Sequence, residues 1–222
     1  MPTPPQPSAS RPRGPAISLG GILGGWPDVA ARFQEVLGDL EEERREFPRF
    51  LRQILNAYHG IDHWARVGVL GLAIAGRLRT LGRVTTACLA LPGGIEEAAI
   101  LSAFFHDCAR TSGGAELDHG REGQRVWWSW SARKGLPRDF AAAVSQAILF
   151  HVDHIPVDPS ANEAAICLAN ADRLERVRLF DSLRPEFMYE DGAWREIWPH
   201  AREVLARLRQ DRVLRELGLA AP

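Results

Sequence analysis

Apolar residues recur at helical spacing through most of the chain. From residue 27 onward they return every three or four positions, which is the pattern of a helix with one buried face. The first such face is formed by Val29, Phe33, Leu37 and Leu40. No stretch of useful length alternates between apolar and polar residues, as a half-buried strand would. The pattern therefore predicts an all-α protein, a single-domain helical bundle over residues 26–222.

The breaks in this pattern divide the bundle into helices. Trp26-Pro27-Asp28 is a typical helix start, with Pro in the first turn. The helix over 63–81 is too apolar for a surface position, so we expect it at the centre of the bundle. Pro199 is expected to kink the last helix near its start. After the first helix, the spacing predicts helices over 47–58, 63–81, 96–110, 118–134, 137–152, 162–179 and 193–217.

Residues 1–25 differ from the rest of the chain. Six prolines lie within residues 1–15 and four glycines within residues 20–25. Such a stretch buries too little apolar area to offset the entropy lost on ordering, so we expect a disordered leader. The chain has no apolar run of roughly 20 residues and no secretory signal pattern near its start. We therefore expect a cytoplasmic protein that does not enter the membrane.

Composition narrows the classes of partner. The 222 residues are 45% hydrophobic and 25% charged, with a formal net charge of -1. This balance provides no general attraction to nucleic acid, so an anionic substrate would need local arginines. The odd number of cysteines, without zinc-ligand spacing, indicates reduced and mostly buried thiols. The sequence leaves the oligomeric state open.

The densest chemistry lies at His106-Asp107, directly after the apolar run 98–105. Burying an imidazole beside a carboxylate is costly unless both are satisfied, and a divalent metal ion satisfies both. Neighbours on a helix point about 100° apart, so the pair can share one ion only where the helix frays or other elements close around it. His63 and Asp172, each inside a helical pattern, are candidates for further ligands.

The order of these residues resembles the HD-domain superfamily of metal-dependent phosphohydrolases. His63 precedes Ala65-Arg66-Val67, as the first ligand of that family often does, and Asp172 lies in Ala171-Asp172-Arg173-Leu174. Two further histidines between the central pair and the last Asp mark its binuclear branch, and His119 and His151 stand in those places. The chain is most similar to small bacterial stand-alone HD proteins, and the resemblance covers residues 59–179.

The resemblance implies two divalent ions, drawn from Fe, Mn, Co, Ni or Zn. One ion would be held by His63, His106, Asp107 and Asp172, and the other by His119 and His151 with Asp107 as the bridge. The implied reaction is hydrolysis of a nucleotide or another small phosphate ester by a metal-activated water. Asp107 and Arg110 are the expected catalytic residues, because the Arg110 guanidinium can bind the phosphate.

Two other functions stay open. A branch of the same superfamily uses a similar set of ligands as a di-iron oxygenase that cleaves C–C or C–P bonds with O₂. The other alternative is a metal-stabilised regulatory or binding module.

Several residue assignments also stay open. His154 can replace His151 as a ligand. His59 either faces the site, holds a carboxylate beside the ligands, or faces solvent at a helix end. Arg66 and Arg173 either bind substrate or pair with Asp62 or Glu175. The cluster Trp127, Trp128 and Trp130 either stacks a base or packs the core.

Overall fold

The computed structural model describes residues 16–42, 52–85, 93–111, 118–152, 162–179 and 183–219. Every regular element within these ranges is a helix, and the ranges contain no strand, which confirms the predicted all-α class. Three short 3₁₀ turns lie at Arg176–Arg178, Pro185–Phe187 and Trp198–His200. The α-helices are α1 Leu19–Leu23, α2 Trp26–Glu42, α3 Ile61–Thr80, α4 Gly94–Phe105, α5 His119–Arg133, α6 Arg138–Phe150, α7 Glu163–Glu175, α8 Asp191–Trp194, α9 Ala201–Arg207 and α10 Gln210–Glu216.

Helix α3 forms the centre of the bundle, as its apolar sequence predicts. All of its residues from 61 to 71 are buried, and it packs against α4 on one side and α7 on another. Small residues allow this close packing. A Cβ at Gly71 would stand 3.6 Å from the Cβ of Ala99 in α4 and 3.8 Å from the Cβ of Ala171 in α7. The three helices that carry His63, the His106-Asp107 pair and Asp172 are therefore immediate neighbours.

Aromatic side chains fix the end of α4, next to the His106-Asp107 pair. The ring of Phe105 lies 5.3 Å from Trp127 and 5.4 Å from Trp130, centroid to centroid, and all three side chains are buried. The core-packing alternative is thus confirmed for these two tryptophans. Removing a buried ring such as Phe105 typically costs about 3–5 kcal/mol of stability.

The leader boundary predicted at residue 25 lies too far along the chain. Residues 19–23 form α1, whose Ile22 is buried, and the Ser18 hydroxyl caps the helix by accepting a hydrogen bond from the Gly21 amide. A Cβ at Gly25 would stand 2.5 Å from Leu72 Cδ2, so the chain passes close to α3 at this point. Residues 1–15 lie outside the described residues, and for them the leader stays a prediction.

Two other predicted helices differ from the structure. The helix over 193–217 is divided into α8, α9 and α10, because Pro199 falls in a 3₁₀ turn and Leu208 adopts ψ 66°, which ends α9. Of the helix predicted over 47–58, only residues 52–54 are helical among those described, and the chain turns from residue 55. None of the described helices combines the length and apolar character needed to cross a bilayer.

Candidate metal centre

The predicted ligands meet where helices begin or end. α4 ends at Phe105, so His106 and Asp107 lie in the turn that follows it, and the helix predicted over 96–110 is too long. Arg110 therefore lies beyond the helix, with its amide donating to the Asp107 carbonyl over 3.1 Å. The pair thus lies at a helix end, which is one of the two conditions under which these neighbours can share an ion. His119 begins α5, while His151 caps the C-terminus of α6.

Close backbone packing brings α5 to this turn. A Cβ at Gly123 would stand 2.7 Å from the Phe105 carbonyl oxygen and 3.1 Å from that of His106. Only a glycine fits this approach without a shift of the backbone, so Gly123 sets the distance between α5 and the end of α4. His119, one turn earlier in α5, is thereby held beside Asp107.

We call His63, His106, Asp172 and the Oδ2 atom of Asp107 the first half-site. The Nε2 atoms of His63 and His106 are 3.1 Å apart, and His63 Nε2 lies 3.5 Å from Asp172 Oδ1. Asp107 Oδ2 lies 3.5 Å from His63 Nε2 and 3.6 Å from His106 Nε2. All four side chains are buried.

We call His119, His151 and the Oδ1 atom of Asp107 the second half-site. The Nε2 atoms of the two histidines are 2.9 Å apart. Asp107 Oδ1 lies 3.1 Å from His119 Nε2 and 3.4 Å from His151 Nε2. The two oxygens of Asp107 thus face different half-sites. The structure brings together all six side chains that the sequence nominated, and their role as ligands stays a prediction.

Backbone carbonyls orient two of the rings. His106 Nδ1 lies 2.8 Å from the Ala103 carbonyl oxygen, and His151 Nδ1 lies 2.5 Å from that of Ile148. A carbonyl only accepts, so each Nδ1 carries the hydrogen and each neutral ring presents a lone pair on Nε2. Metal-binding histidines are commonly oriented by such a bond on the other ring nitrogen.

The spacing of the donor atoms fits metal coordination. Two ligands at about 2.1 Å from one ion and at right angles to each other are about 3.0 Å apart. The donor atoms of His63, His106 and Asp172 lie close enough together to hold one ion, as do those of His106, Asp107 and His151. Buried lone pairs facing one another at this distance repel unless a cation lies among them. The residues therefore fit a divalent metal ion.

A buried network of charged side chains lies beside Nδ1 of His63. His63 Nδ1 lies 3.1 Å from Glu175 Oε2, within charge-pair range although the ring is not aligned for a well-formed hydrogen bond. Arg66 donates to Glu175 Oε1 from Nε and Nη2 at 2.9 and 2.7 Å, and to Asp62 from Nη1. For Arg66 the ion-pair alternative is thus confirmed. Sequence reasoning named Glu175 only as an arginine partner and missed its contact with His63, because that contact joins α7 to α3.

His59 also joins the cluster. Its Nδ1 lies 2.8 Å from Asp107 Oδ2. An Asx turn holds it there, because Asn56 Oδ1 accepts from the amides of Tyr58 and His59. A Cβ at Gly60 would stand 2.4 Å from the Asn56 carbonyl oxygen, so only glycine fits the turn. The sequence left the position of His59 open, and the structure places it against Asp107.

Three arginines surround the centre in different ways. Arg110 Nη1 lies 3.1 Å from His119 Nε2 and 3.4 Å from Asp107 Oδ1, which places a positive charge in the second half-site. Arg176 donates from Nη2 to Asp172 Oδ2 over 2.7 Å and was missed by sequence reasoning. Arg173 instead donates to the Phe187 carbonyl and lies over the Tyr189 ring.

Burial and neighbouring charges act in opposite directions on the imidazoles. Burial alone lowers the pKa of His63, but the carboxylates of Glu175, Asp107 and Asp172 outweigh it and raise that pKa to about 9. For His106, burial prevails over the attraction of Asp107, and its pKa falls to about 3. Without a metal ion, His63 is therefore protonated at neutral pH and His106 is neutral.

The carboxylates remain ionised although they are buried. Burial raises the pKa of Asp107, but the neighbouring imidazoles of His106, His119, His151 and His59 hold it well below its usual range. Burial likewise opposes ionisation of Asp172, and the charges of Arg176 and His63 overcome it, so the pKa of Asp172 is also lowered. Both groups are thus available as anionic ligands at neutral pH.

Two described neighbours of the first half-site are exposed to solvent. The side chain of His59 is 21% exposed and that of Arg176 is 43% exposed, whereas the six nominated ligands are all buried. The exposed side chains lie beside Asp107 Oδ2 and Asp172, at the first half-site, and we call this side of the cluster the entrance. His154, the alternative to His151, lies outside the described residues.

Comparison of the chain with protein-family models, curated proteins and solved structures gives no match. The chemistry of the centre is therefore inferred from its own residues.

Proposed function

We propose that the chain is a metal-dependent phosphohydrolase that acts on a nucleotide or another small phosphate ester. The observation that carries this proposal is the set of buried Nε2 and carboxylate oxygen atoms around Asp107, each of which lies 2.9–3.6 Å from a neighbour in its half-site. In the first half-site, His63, His106, Asp107 and Asp172 would hold the ion. The same residues support the resemblance to HD-domain phosphohydrolases.

A divalent ion in such a set lowers the pKa of a bound water and polarises a phosphoryl oxygen. The chain's own groups have supporting tasks. Glu175 orients His63 through Nδ1, so that Nε2 faces Asp172 and His106. Asp107, ionised although buried, supplies negative charge to both half-sites. His59 holds Asp107 Oδ2 through an Nδ1–H donor at the solvent-exposed side of the cluster.

The charges at the entrance favour an anionic substrate. Arg176 is the most exposed cation in contact with the cluster, and Arg110 adds a second positive charge inside it. A charge-assisted hydrogen bond from a guanidinium to a phosphate is worth about 1.5–3 kcal/mol when buried and at most about 1 kcal/mol when exposed to solvent. A neutral substrate would gain nothing from this arrangement. Phosphate esters therefore fit the entrance better than uncharged ones.

The test begins with protein purified without chelator, whose metal content is measured. Phosphate release is then assayed without O₂, with Mn²⁺ or Co²⁺ added, over a panel of nucleotides and sugar phosphates. We expect phosphate release that depends on the ion and is lost in Asp172→Asn. Bound iron with substrate-dependent O₂ uptake and no phosphate release would instead assign the di-iron oxygenase function. A bound ion with neither reaction would favour a binding or regulatory module.

A further inference from the structure

The second half-site brings two imidazole nitrogens and one carboxylate oxygen together in a buried space. His119 Nε2, His151 Nε2 and Asp107 Oδ1 lie within 2.9–3.4 Å of one another. The hydrogen of His151 is on Nδ1, where it is donated to the Ile148 carbonyl. Acceptors crowded in a buried space need a donor or a cation among them. These three atoms therefore favour a positively charged group in the second half-site.

Arg110 supplies such a cation. Its Nη1 lies 3.1 Å from His119 Nε2 and 3.4 Å from Asp107 Oδ1, so it contacts two of the three acceptor atoms. The side chain is only 10% exposed, and the Arg110 amide is held by the Asp107 carbonyl in the turn after α4. Nη1 also lies 3.5 Å from His119 Nδ1, so the guanidinium lies over the imidazole ring as a neighbouring cation. The position of Arg110 is thus part of the fold and not that of a mobile surface side chain.

An ion and the guanidinium compete for the same atoms. An ion bound at about 2.0–2.2 Å from both Nε2 and Oδ1 would lie within a few ångströms of a guanidinium that contacts the same two atoms. The two positive charges repel strongly in a buried environment. Filling this half-site with metal therefore requires Arg110 to leave it.

The first half-site lacks this obstacle. Arg176 is the arginine that contacts one of its carboxylates, and it binds Asp172 through Oδ2. The oxygen that faces His63 Nε2 is Asp172 Oδ1. The guanidinium of Arg176 therefore lies on the outer oxygen, and the inner oxygen keeps its place among the donors. Arg110 therefore competes with an ion in the second half-site, whereas Arg176 supports the ligand Asp172 in the first.

We propose that the guanidinium of Arg110 is the resident cation of the second half-site, so that the folded chain binds one divalent ion tightly and not two. The centre then consists of one metal ion and one arginine that share Asp107. This inference rests on the proposed function only for the ion in the first half-site. It replaces the second ion that the resemblance to binuclear HD proteins implies.

The experiment compares the Mn²⁺ content of wild-type protein with that of Arg110→Gln and Arg110→Lys after dialysis against a low Mn²⁺ concentration. We expect one tightly bound ion per chain in the wild type and in Arg110→Lys, which keeps the charge. Arg110→Gln should bind two ions, and electron paramagnetic resonance should show the exchange coupling of a Mn²⁺ pair. Arg125→Ala, which removes an exposed arginine of α5, is the control for lost charge and should bind as the wild type does.

A gain of one ion in Arg110→Gln over the wild type supports the proposal, and a folded Arg110→Gln without that gain overturns it. Should Arg110→Gln not fold, His119→Ala decides. If Arg110 occupies the second half-site, His119→Ala binds as many ions as the wild type does. A coupled Mn²⁺ pair in the wild type that becomes one ion in His119→Ala overturns the proposal. A failure of the proposed function gives a different result. In that case the wild type and Asp172→Asn would have equally low Mn²⁺ content, because the first half-site would bind no ion.

Discussion

The two half-sites share Asp107 and have similar donor atoms, yet they balance their charge differently. In the first, a proton on His63 provides the positive charge, because surrounding carboxylates raise the pKa of that imidazole to about 9. In the second, the guanidinium of Arg110 provides it. A proton can leave to solvent when an ion binds, but an arginine keeps its proton over the whole usable pH range. Two half-sites with similar ligands can therefore differ in their affinity for a metal ion.

Removing the group that both halves share should have the largest effect. In Asp107→Ala the first half-site loses an anionic ligand and Arg110 loses its carboxylate partner. We expect metal content and turnover to fall together, by more than the roughly 100-fold that loss of an outer-shell partner costs. Metal analysis and phosphate release measure both. His200→Ala, a histidine outside the cluster, is the control, and normal metal occupancy in Asp107→Ala would refute the central position of Asp107.

The support of His63 can be separated from the stability of the network. Glu175→Gln removes the charge that faces His63 Nδ1, so we expect ion affinity to fall about 10–100-fold, measured by competition with a chelating dye. The matched control is Asp62→Asn, since Asp62 contacts the same arginine, Arg66, but is not among the charges that raise the pKa of His63. Both variants should melt earlier, and only Glu175→Gln should lose ion affinity. Equal affinities in the two would assign Glu175 a purely structural role.

The proton on His63 predicts a pH dependence of metal binding. Because an ion must displace that proton, ion binding at pH 7.5 should release about one proton, and ion affinity should rise with pH until about 9. Calorimetry in buffers of different ionisation enthalpy measures the release. An affinity that does not change between pH 7 and 9 would contradict the assignment of the proton.

The stability of the metal-free protein should depend on pH through the same imidazoles. The pKa of His63 is raised on folding, so its contribution is fully present below pH 6.5 and is lost as pH rises through about 9. The pKa of His106 is lowered, so its contribution is present above pH 6.5 and is lost as pH falls toward about 3. Chemical unfolding in the presence of a chelator should therefore show greatest stability near neutral pH.

The smallest effect is expected at the entrance. Arg176→Ala removes a side chain that is 43% exposed, and exposed ion pairs contribute at most about 1 kcal/mol. The Michaelis constant for a phosphate ester should rise about threefold to fivefold, with the fold retained. Arg184→Ala, which removes another exposed arginine, provides the control. An unchanged Michaelis constant in Arg176→Ala would place the substrate elsewhere.

The sequence predicts those parts of the molecule that depend on local periodicity. The helical class and the buried position of α3 follow from apolar spacing, and the six nominated side chains follow from the resemblance to HD-domain proteins. The helix predicted through Arg110 ends at Phe105 because the following residues turn to bring Asp107 into the cluster. Periodicity does not detect such an ending, since the apolar pattern runs up to the turn.

What the sequence could not predict depends on distant contacts. Glu175 becomes part of the site only because Arg66 and His63, from α3, meet it. His59 reaches Asp107 through an Asx turn at Asn56 and the tight backbone at Gly60, and neither has helical spacing. The position of Arg110 among the acceptors of the second half-site is likewise set by tertiary packing. Spacing along the chain therefore nominates ligands better than it identifies the groups that surround them.

The convergence of α3 and α4 on the first half-site also has a consequence for chain entropy. His63 and His106 are 43 residues apart in sequence, so an ion that binds both closes a long loop. By analogy with a disulfide around a loop of that length, such a link removes about 4 kcal/mol of conformational entropy from the unfolded chain, to the extent that it persists there. Bound metal would then act as a reversible cross-link, and a chelator would cut it without breaking a covalent bond.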